Sequence, residues 1–179
     1  MKVNELDRKS MILGVSSILL VVFLIYGASQ DAEPQSTVKT SEWKNVQLED
    51  ANTGEEFTVS ELERPLLVET FAVWCSTCTN QQKEIKELKK DLNVTSVSLN
   101  VDSNEDKEQI RDHTERYGFD WIYAISPVEL TTMLREQYGN SIATPSLAPV
   151  ILVCENETRR LQDGVKTAST LQKEIEEGC

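Results

Sequence analysis

Histidine is nearly missing from this 179-residue chain: His113 is the only one. One imidazole supplies no histidine metal cluster, and its place among Lys, Glu and Gln predicts a solvent-facing bystander on a surface helix. Basic residues are also scarce, 18 Lys and Arg against 30 Asp and Glu, for a net charge of −12. None cluster, which argues against nucleic acid as a partner, because phosphate binding needs grouped Lys and Arg. The acidity reads as a solvated surface that keeps the domain soluble and is more easily approached by basic or neutral partners. Cysteine is limited to Cys75, Cys78, Cys154 and Cys179. Only the first two form a close pair, whereas a tetrahedral zinc site normally draws on two, so no metal is expected.

Long apolar runs are confined to Met11–Ala28 (MILGVSSILLVVFLIYGA), which carries no charge and is just long enough to cross a bilayer as a helix. Lys2, Arg8 and Lys9 precede it and acidic residues dominate the chain beyond it, so the positive-inside rule predicts a cytoplasmic tail over 1–10, a transmembrane anchor over 11–28 and the remainder on the extracytoplasmic side. The competing reading is a secretory signal peptide cleaved after Ser29, but the run exceeds a usual signal core. No Cys comes directly after the run, which argues against a lipoprotein. Residues 29–45 are polar, contain Pro34 and lack an apolar period. They read as a linker, with Trp43 beginning the packed part of a domain over 46–179.

Within that domain, Val46–Glu49 and Phe57–Val59 flank Asn52-Thr53-Gly54, a hairpin signal. Leu66–Val73 is an almost continuous apolar run, as expected of a strand buried on both faces. Ile85, Leu88 and Leu92 recur at helical steps within Thr79–Leu92. A strand comes next at Val94–Val101, then a helix from an N-cap at Ser103 to Tyr117, stopped by Gly118. Trp121–Ala124 reads as a short strand. Ser126-Pro127-Val128-Glu129 opens a helix running to Tyr138, with Ser126 as cap and Pro127 at the first helical position. Val150–Cys154 and Thr158–Leu161 read as a hairpin, and Ala168–Glu177 as a final helix. Strands alternating with helices, then a hairpin and a helix, predict an α/β three-layer sandwich around a mixed sheet.

Trp74-Cys75-Ser76-Thr77-Cys78 lies where the buried strand gives way to the first amphipathic helix. Residues three apart on a first helical turn are close enough for a disulfide, and the unpaired amides and positive helix end stabilise a thiolate on the first. Cys75 is the expected nucleophile, in an exposed helix-start position, and Cys78 the resolving thiol. The alternatives are half of a zinc site, with Cys154 and Cys179, and a purely structural disulfide.

The segment Leu66–Cys78 (LLVETFAVWCSTC) resembles the thioredoxin superfamily, and the layout over 46–177 is similar to its membrane-tethered TlpA-like branch. A hairpin leads into the strand before the cysteine motif, and Asp120–Tyr138 would supply that branch's inserted helix and strand. The resemblance implies a thiol-disulfide oxidoreductase whose centre is the Cys75–Cys78 disulfide, with no other cofactor. Its partners would be protein thiols and disulfides and an unidentified electron donor or acceptor. It also implies a cis-proline facing the cysteines. Ala148-Pro149 fits, because a strand begins at once after it, and Thr144-Pro145 is the rival.

Glu69 interrupts the apolar strand at the offset where thioredoxins carry a buried acidic group. Strand alternation puts it on one face with Leu67 and Phe71, where burial would raise its pKa and suit it to take the proton of Cys78. The other reading is a strand-edge Glu reaching solvent or a Lys. Thr77 and Lys83 stand where many relatives have proline, so no redox potential is transferred. Cys154 reads as a buried small apolar residue, and Cys179 as a free thiol or intermolecular bridge. Asn93-Val94-Thr95 and Asn156-Glu157-Thr158 match the glycosylation sequon. The reading from a different class is a binding module that holds a thiol or delivers copper without turnover.

Overall fold

The structure, a computed structural model, describes residues 42–179. The anchor over 11–28 and most of the linker lie outside the described residues. Among the described residues no helix is long and apolar enough to cross a membrane.

A 3-10 turn at Glu42–Asn45 buries Trp43, whose ring meets Tyr138 edge-on at 6.2 Å. Strands β1 (Leu48–Glu49) and β2 (Glu56–Phe57) then form an antiparallel pair with Leu48 opposite Phe57. Asp50 shapes the turn between them, accepting from the Asn52 amide and the Thr53 hydroxyl, each at 3.1 Å. Gly54 completes it with a φ of 78°, a conformation that disfavours side chains.

The main sheet has the order β5-β4-β3-β6-β7. Its centre is β3 (Leu66–Phe71), with all six residues buried. β3 runs parallel to β4 (Thr95–Asn100), which runs parallel to β5 (Ile122–Ile125). On its other side β3 is antiparallel to β6 (Val150–Val153), which turns into β7 (Thr158–Arg160). Among the described residues four helices cover the sheet: α1 (Ser76–Asp91), α2 (Lys107–Tyr117), α3 (Val128–Tyr138) and α4 (Ala168–Gly178).

The alternation along β3 sorts two cores. Leu67 and Phe71 pack with Ile85 of α1, Ile110 of α2 and Leu171 and Ile175 of α4 on one face. Leu66 and Val68 pack with Trp43, Val97, Leu99 and Leu130 and Leu134 of α3 on the other. This is the mixed α/β sandwich expected, with helix boundaries moved by capping chemistry. Helix α1 begins at Ser76, not Thr79, because Cys75 serves as its cap. Helix α2 starts at Lys107, not near Ser103, because Asp106 and Gln109 form a reciprocal capping box with bonds of 3.0 and 2.9 Å. Helix α3 is capped by Pro127 and not by Ser126, whose hydroxyl pairs with that of Thr131 at 2.8 Å.

Candidate functional site

Cys75 and Cys78 are joined in a disulfide with a Cα separation of 5.3 Å, inside the range that such bonds adopt. The strand β3 ends at Phe71, and Cys75 caps the next helix: the Cys78 amide donates to Cys75 Sγ at 3.1 Å. That free helix-start amide is the group that holds negative charge on sulfur when the bond opens. Two carboxylates grip the approach. Glu105 accepts from the Val73 amide through both oxygens, at 2.8 and 3.0 Å, and Asp102 accepts from Trp74 Nε1 at 2.6 Å. That bond holds the Asp102 carboxyl below its usual range.

The exposed position expected of Cys75 is not what the fold gives: Cys75 is 2% exposed and Cys78 1%. The 3-10 turn Pro145–Leu147 lies over the start of α1 and brings the Pro145 carbonyl to 3.2 Å from Cys78 Sγ. Trp74, by contrast, is 64% exposed. Trp74, Val128 and Val165 are the exposed large hydrophobics among the described residues. They come after β3, β5 and β7, which point the same way, so all three lie toward the end of the sheet that carries the disulfide, Trp74 after the central strand and Val128 and Val165 after the two edge strands.

Glu69 is fully buried, 2% exposed, on the face shared with Leu67 and Phe71 and thus on the side of the cysteines. Its partner across the parallel ladder is Ser98, whose hydroxyl donates to the carboxylate at 2.5 Å and accepts from Trp121 Nε1 at 2.9 Å. Burial raises the Glu69 pKa from 4.5 to about 7, opposed by the Ser98 hydroxyl, the Gln82 amide and the charge of Lys166. Gln82 in turn bonds His113 Nε2 at 2.7 Å. His113 is therefore not the solvent-facing bystander expected. It is 3% exposed, stacked on Phe71 and edged by Tyr117, because its helix turns that face toward the sheet. The Tyr123 hydroxyl is buried nearby, and its own burial and then Glu69 push its pKa well up.

The cis-proline expectation fails. The Ala148–Pro149 bond is trans, as is Thr144–Pro145, and the cis bond among the described residues is Arg64–Pro65. The chain turns at this point by another means: Ala148 adopts a left-handed conformation with φ 46°, and its amide closes a turn onto the Pro145 carbonyl at 2.8 Å. Pro149 contributes a carbonyl to Thr70 at 3.3 Å, while the rival Pro145 makes the cysteine contact.

Cys154 and Cys179 are likewise corrected. They form an intramolecular disulfide, with a Cα separation of 5.1 Å, that ties the end of β6 to the last residue. Within its own strand Cys154 has the pattern of an unpaired apolar residue, but α4 folds back beside β6 and β7 and delivers Cys179 to it.

A family model for Redoxin matches residues 31–157. The chain belongs to the Redoxin family. Its thioredoxin-like fold is shared with a thioredoxin-related protein from Neisseria meningitidis serogroup B, at a TM-score of 0.59 and 14% identity, covering 72% of this chain and 96% of that one. A secreted Mycobacterium tuberculosis disulfide oxidoreductase homologous to E. coli DsbE superposes at 0.59 with 11% identity, covering 76% and 98%. A SCO1/SenC family lipoprotein from Bacillus anthracis str. Ames does so at 0.58 with 14% identity, covering 74% and 91%. In sequence, the chain is 26% identical over 99 residues to the chloroplastic thioredoxin-like protein CITRX of Oryza sativa subsp. indica, covering 55% of this chain and 48% of the relative. This Redoxin chain thus spans about half the length of the curated relatives it matches.

Proposed function

We propose that this protein is a thiol-disulfide oxidoreductase that reduces disulfides of other proteins on the extracytoplasmic side of a membrane, tethered through residues 11–28. The observation that carries the reading is the Cys75–Cys78 disulfide at a helix start with the buried Glu69 carboxyl behind it. In the reduced enzyme the Cys75 thiolate, held by the Cys78 amide, attacks a substrate disulfide. One substrate sulfur leaves as thiolate and a mixed disulfide forms. Cys78 then gives its proton toward Glu69 and its thiolate displaces the second substrate sulfur, so that the enzyme ends oxidised and the substrate gains two electrons. A donor dithiol restores the enzyme by the reverse exchange. The dithiol-disulfide pair is the whole redox equipment of the mechanism. Trp74, Val128 and Val165 offer an apolar rim to an extended polypeptide.

The test is an insulin-type reduction assay on the full chain with trapping variants. Cys78→Ser is expected to accumulate covalent complexes with substrate, and Cys75→Ser to form none. Equal trapping by both would overturn the assignment of roles. Membrane attachment is tested separately by retention of the intact chain after high-salt and carbonate washing, against release of a form beginning near Gln30.

The likeness to Sco-family structures favours a second reading, a module that holds a thiol or a copper ion as cargo without turnover. His113 is committed to Gln82, and among the described residues no group of three or more His, Cys, Asp or Glu is gathered as a metal site. Metal content of the purified protein beside the insulin assay separates the two readings.

A further inference from the structure

Lys166 is the one lysine among the buried polar and charged residues described, 7% exposed, and the exchange mechanism does not use it. Its main chain is locked to α1: the Lys166 amide donates to Gln81 Oε1 at 2.7 Å, and Gln81 Nε2 returns a bond to the Lys166 carbonyl at 3.1 Å. Gln81 stands one turn beyond Cys78 on the same helix. From this anchor the side chain crosses to the turn that lies on the disulfide, and Nζ donates to the Ala148 carbonyl at 2.6 Å. A parallel bond runs from the Gly164 amide to the Leu147 carbonyl at 2.7 Å. Ala148 is the residue held at a positive φ of 46°, a conformation unfavourable for a residue with a Cβ unless its surroundings enforce it. On the far side of this short turn is Pro145, whose carbonyl sits 3.2 Å from Cys78 Sγ.

We propose that Lys166 is a positioning residue that latches the Pro145–Pro149 turn to helix α1 and thereby keeps the Pro145 carbonyl on Cys78. The chemical consequence depends on the redox state. When the pair is reduced, the Cys78 thiol donates a hydrogen bond to that carbonyl. When it is oxidised, the sulfur has no proton to donate and the bond is lost. The latch therefore favours the dithiol over the disulfide in the equilibrium where two glutathione thiols reduce the pair, the protein gaining two electrons and two protons as glutathione disulfide forms. It also favours the protonated form of Cys78, because the carbonyl bonds the thiol and repels the thiolate. A single hydrogen bond of ordinary net strength changes such an equilibrium roughly fivefold.

The inference rests on the redox reading of Cys75 and Cys78, and the experiment separates the two. Wild type, Lys166→Met and Lys166→Arg, as full chains, are equilibrated in glutathione buffers, quenched by alkylation and weighed by mass spectrometry, with melting temperatures alongside. Lys166→Met keeps the length of the side chain and removes the donor. Its equilibrium is expected to move roughly fivefold toward the disulfide, ~20 mV more negative for a two-electron couple. Lys166→Arg, which keeps a donor, should stay closer to wild type. Alkylation against pH in the Cys75→Ser background should show a lower Cys78 pKa in Gln81→Met, which frees the turn while keeping the lysine charge that by itself favours a thiolate. Should Lys166→Met not fold, Gln81→Met frees the anchor while leaving the lysine in place, and the same direction is expected. A folded variant with wild-type equilibrium and wild-type Cys78 titration would overturn the latch. A pair that does not cycle in any of the proteins would instead overturn the redox function.

Discussion

The molecule contains two disulfides of nearly equal span, 5.3 and 5.1 Å between Cα atoms, in opposite settings. Cys75 and Cys78 are three residues apart at a helix start, backed by Glu69, Gln82, Ser98 and His113, all buried. Cys154 and Cys179 are 25 residues apart, and Cys154, 6% exposed, sits in the apolar core with Leu161 and with Leu171 and Ile175 of α4. The same covalent bond thus sits once at a helix start, on the sheet face of a buried carboxyl with its pKa raised to about 7, and once against apolar side chains that do not titrate. Short loop and tuned surroundings suit exchange. Long loop and inert surroundings suit a staple, since cross-linking restrains the unfolded chain more as the closed loop lengthens.

The contrast is sharpest in activity. Replacing both Cys154 and Cys179 with Ser should leave insulin reduction at the wild-type rate, whereas Cys75→Ser should bring it down to uncatalysed exchange. A strong loss of rate in the folded Cys154/Cys179 double variant would mean that electrons pass through the second pair, and would break the division of labour.

A smaller loss is expected at Glu69. With a pKa of about 7 the carboxyl is protonated in acid and available as a proton acceptor above neutrality. Glu69→Gln keeps the size and removes that exchange. The step that resolves the mixed disulfide should slow by roughly 10²–10⁴, as for a lost general base, or less where water substitutes. Rates measured over pH 5–9 should rise through about 7 in wild type and lose that inflection in the variant. Unchanged rates and an unchanged profile would show that Cys78 deprotonates without it.

Stability should respond the other way round. Opening the 25-residue loop by Cys154→Ser with Cys179→Ser should cost about 3 kcal/mol, or a melting temperature lower by about 10 °C. Thermal melts of the oxidised wild type and the double variant test this. A double variant that melts with wild type would show that α4 docks without its staple.

Much of this is legible from periodicity and capping signals. The buried strand, expected over Leu66–Val73 and found over Leu66–Phe71, the helix at the cysteine motif and the terminal hairpin all come from apolar spacing and turn residues. Alternation puts Glu69 on the face of Leu67 and Phe71, which the packing then shows to be that of the cysteines. The illegible part depends on which elements meet. Gln81 and Gln82 read as ordinary polar positions on an amphipathic helix, yet one binds Lys166 and the other His113. His113 reads as a surface residue because Phe71, Tyr117 and Phe119 supply its aromatic surroundings only once α2 packs against the sheet. Ser98 carries a faint signal, a hydroxyl inside an apolar strand, but its role needs the register that sets it opposite Glu69. Lys166 carries none, since a lone lysine in a loop is normally solvated.

The finest distinction between the two disulfides concerns pH, because buried titratable groups back the redox pair while apolar side chains pack against the staple. Two of these groups act with opposite sign. Glu69 has its pKa raised by burial from 4.5 to about 7, so the folded state holds a proton that the unfolded state has lost, and this contribution to stability fades as pH rises through that window. His113 has its pKa lowered from 6.5 to about 4, chiefly by burial and then by Arg116. Its ring is a neutral donor to Gln82, so the unfolded state takes up a proton first, and stability is lost as pH falls from 6.5 through about 4. Between pH 4.5 and 6.5 the two proton differences offset each other, and the wild-type stability should be nearly flat as far as these groups set it. Removing either should expose the other. Glu69→Gln should gain stability relative to wild type as pH rises across this range, and His113→Phe, which suits the aromatic surroundings, should lose it. Each tilt is bounded by one proton, about 1.4 kcal/mol per pH unit. The measurement is denaturant unfolding of the three proteins at half-unit steps from pH 4.5 to 7. Parallel curves for wild type and both variants would show that neither group differs in protonation between the folded and unfolded chain, and that the redox pair is backed by no more titratable machinery than the staple.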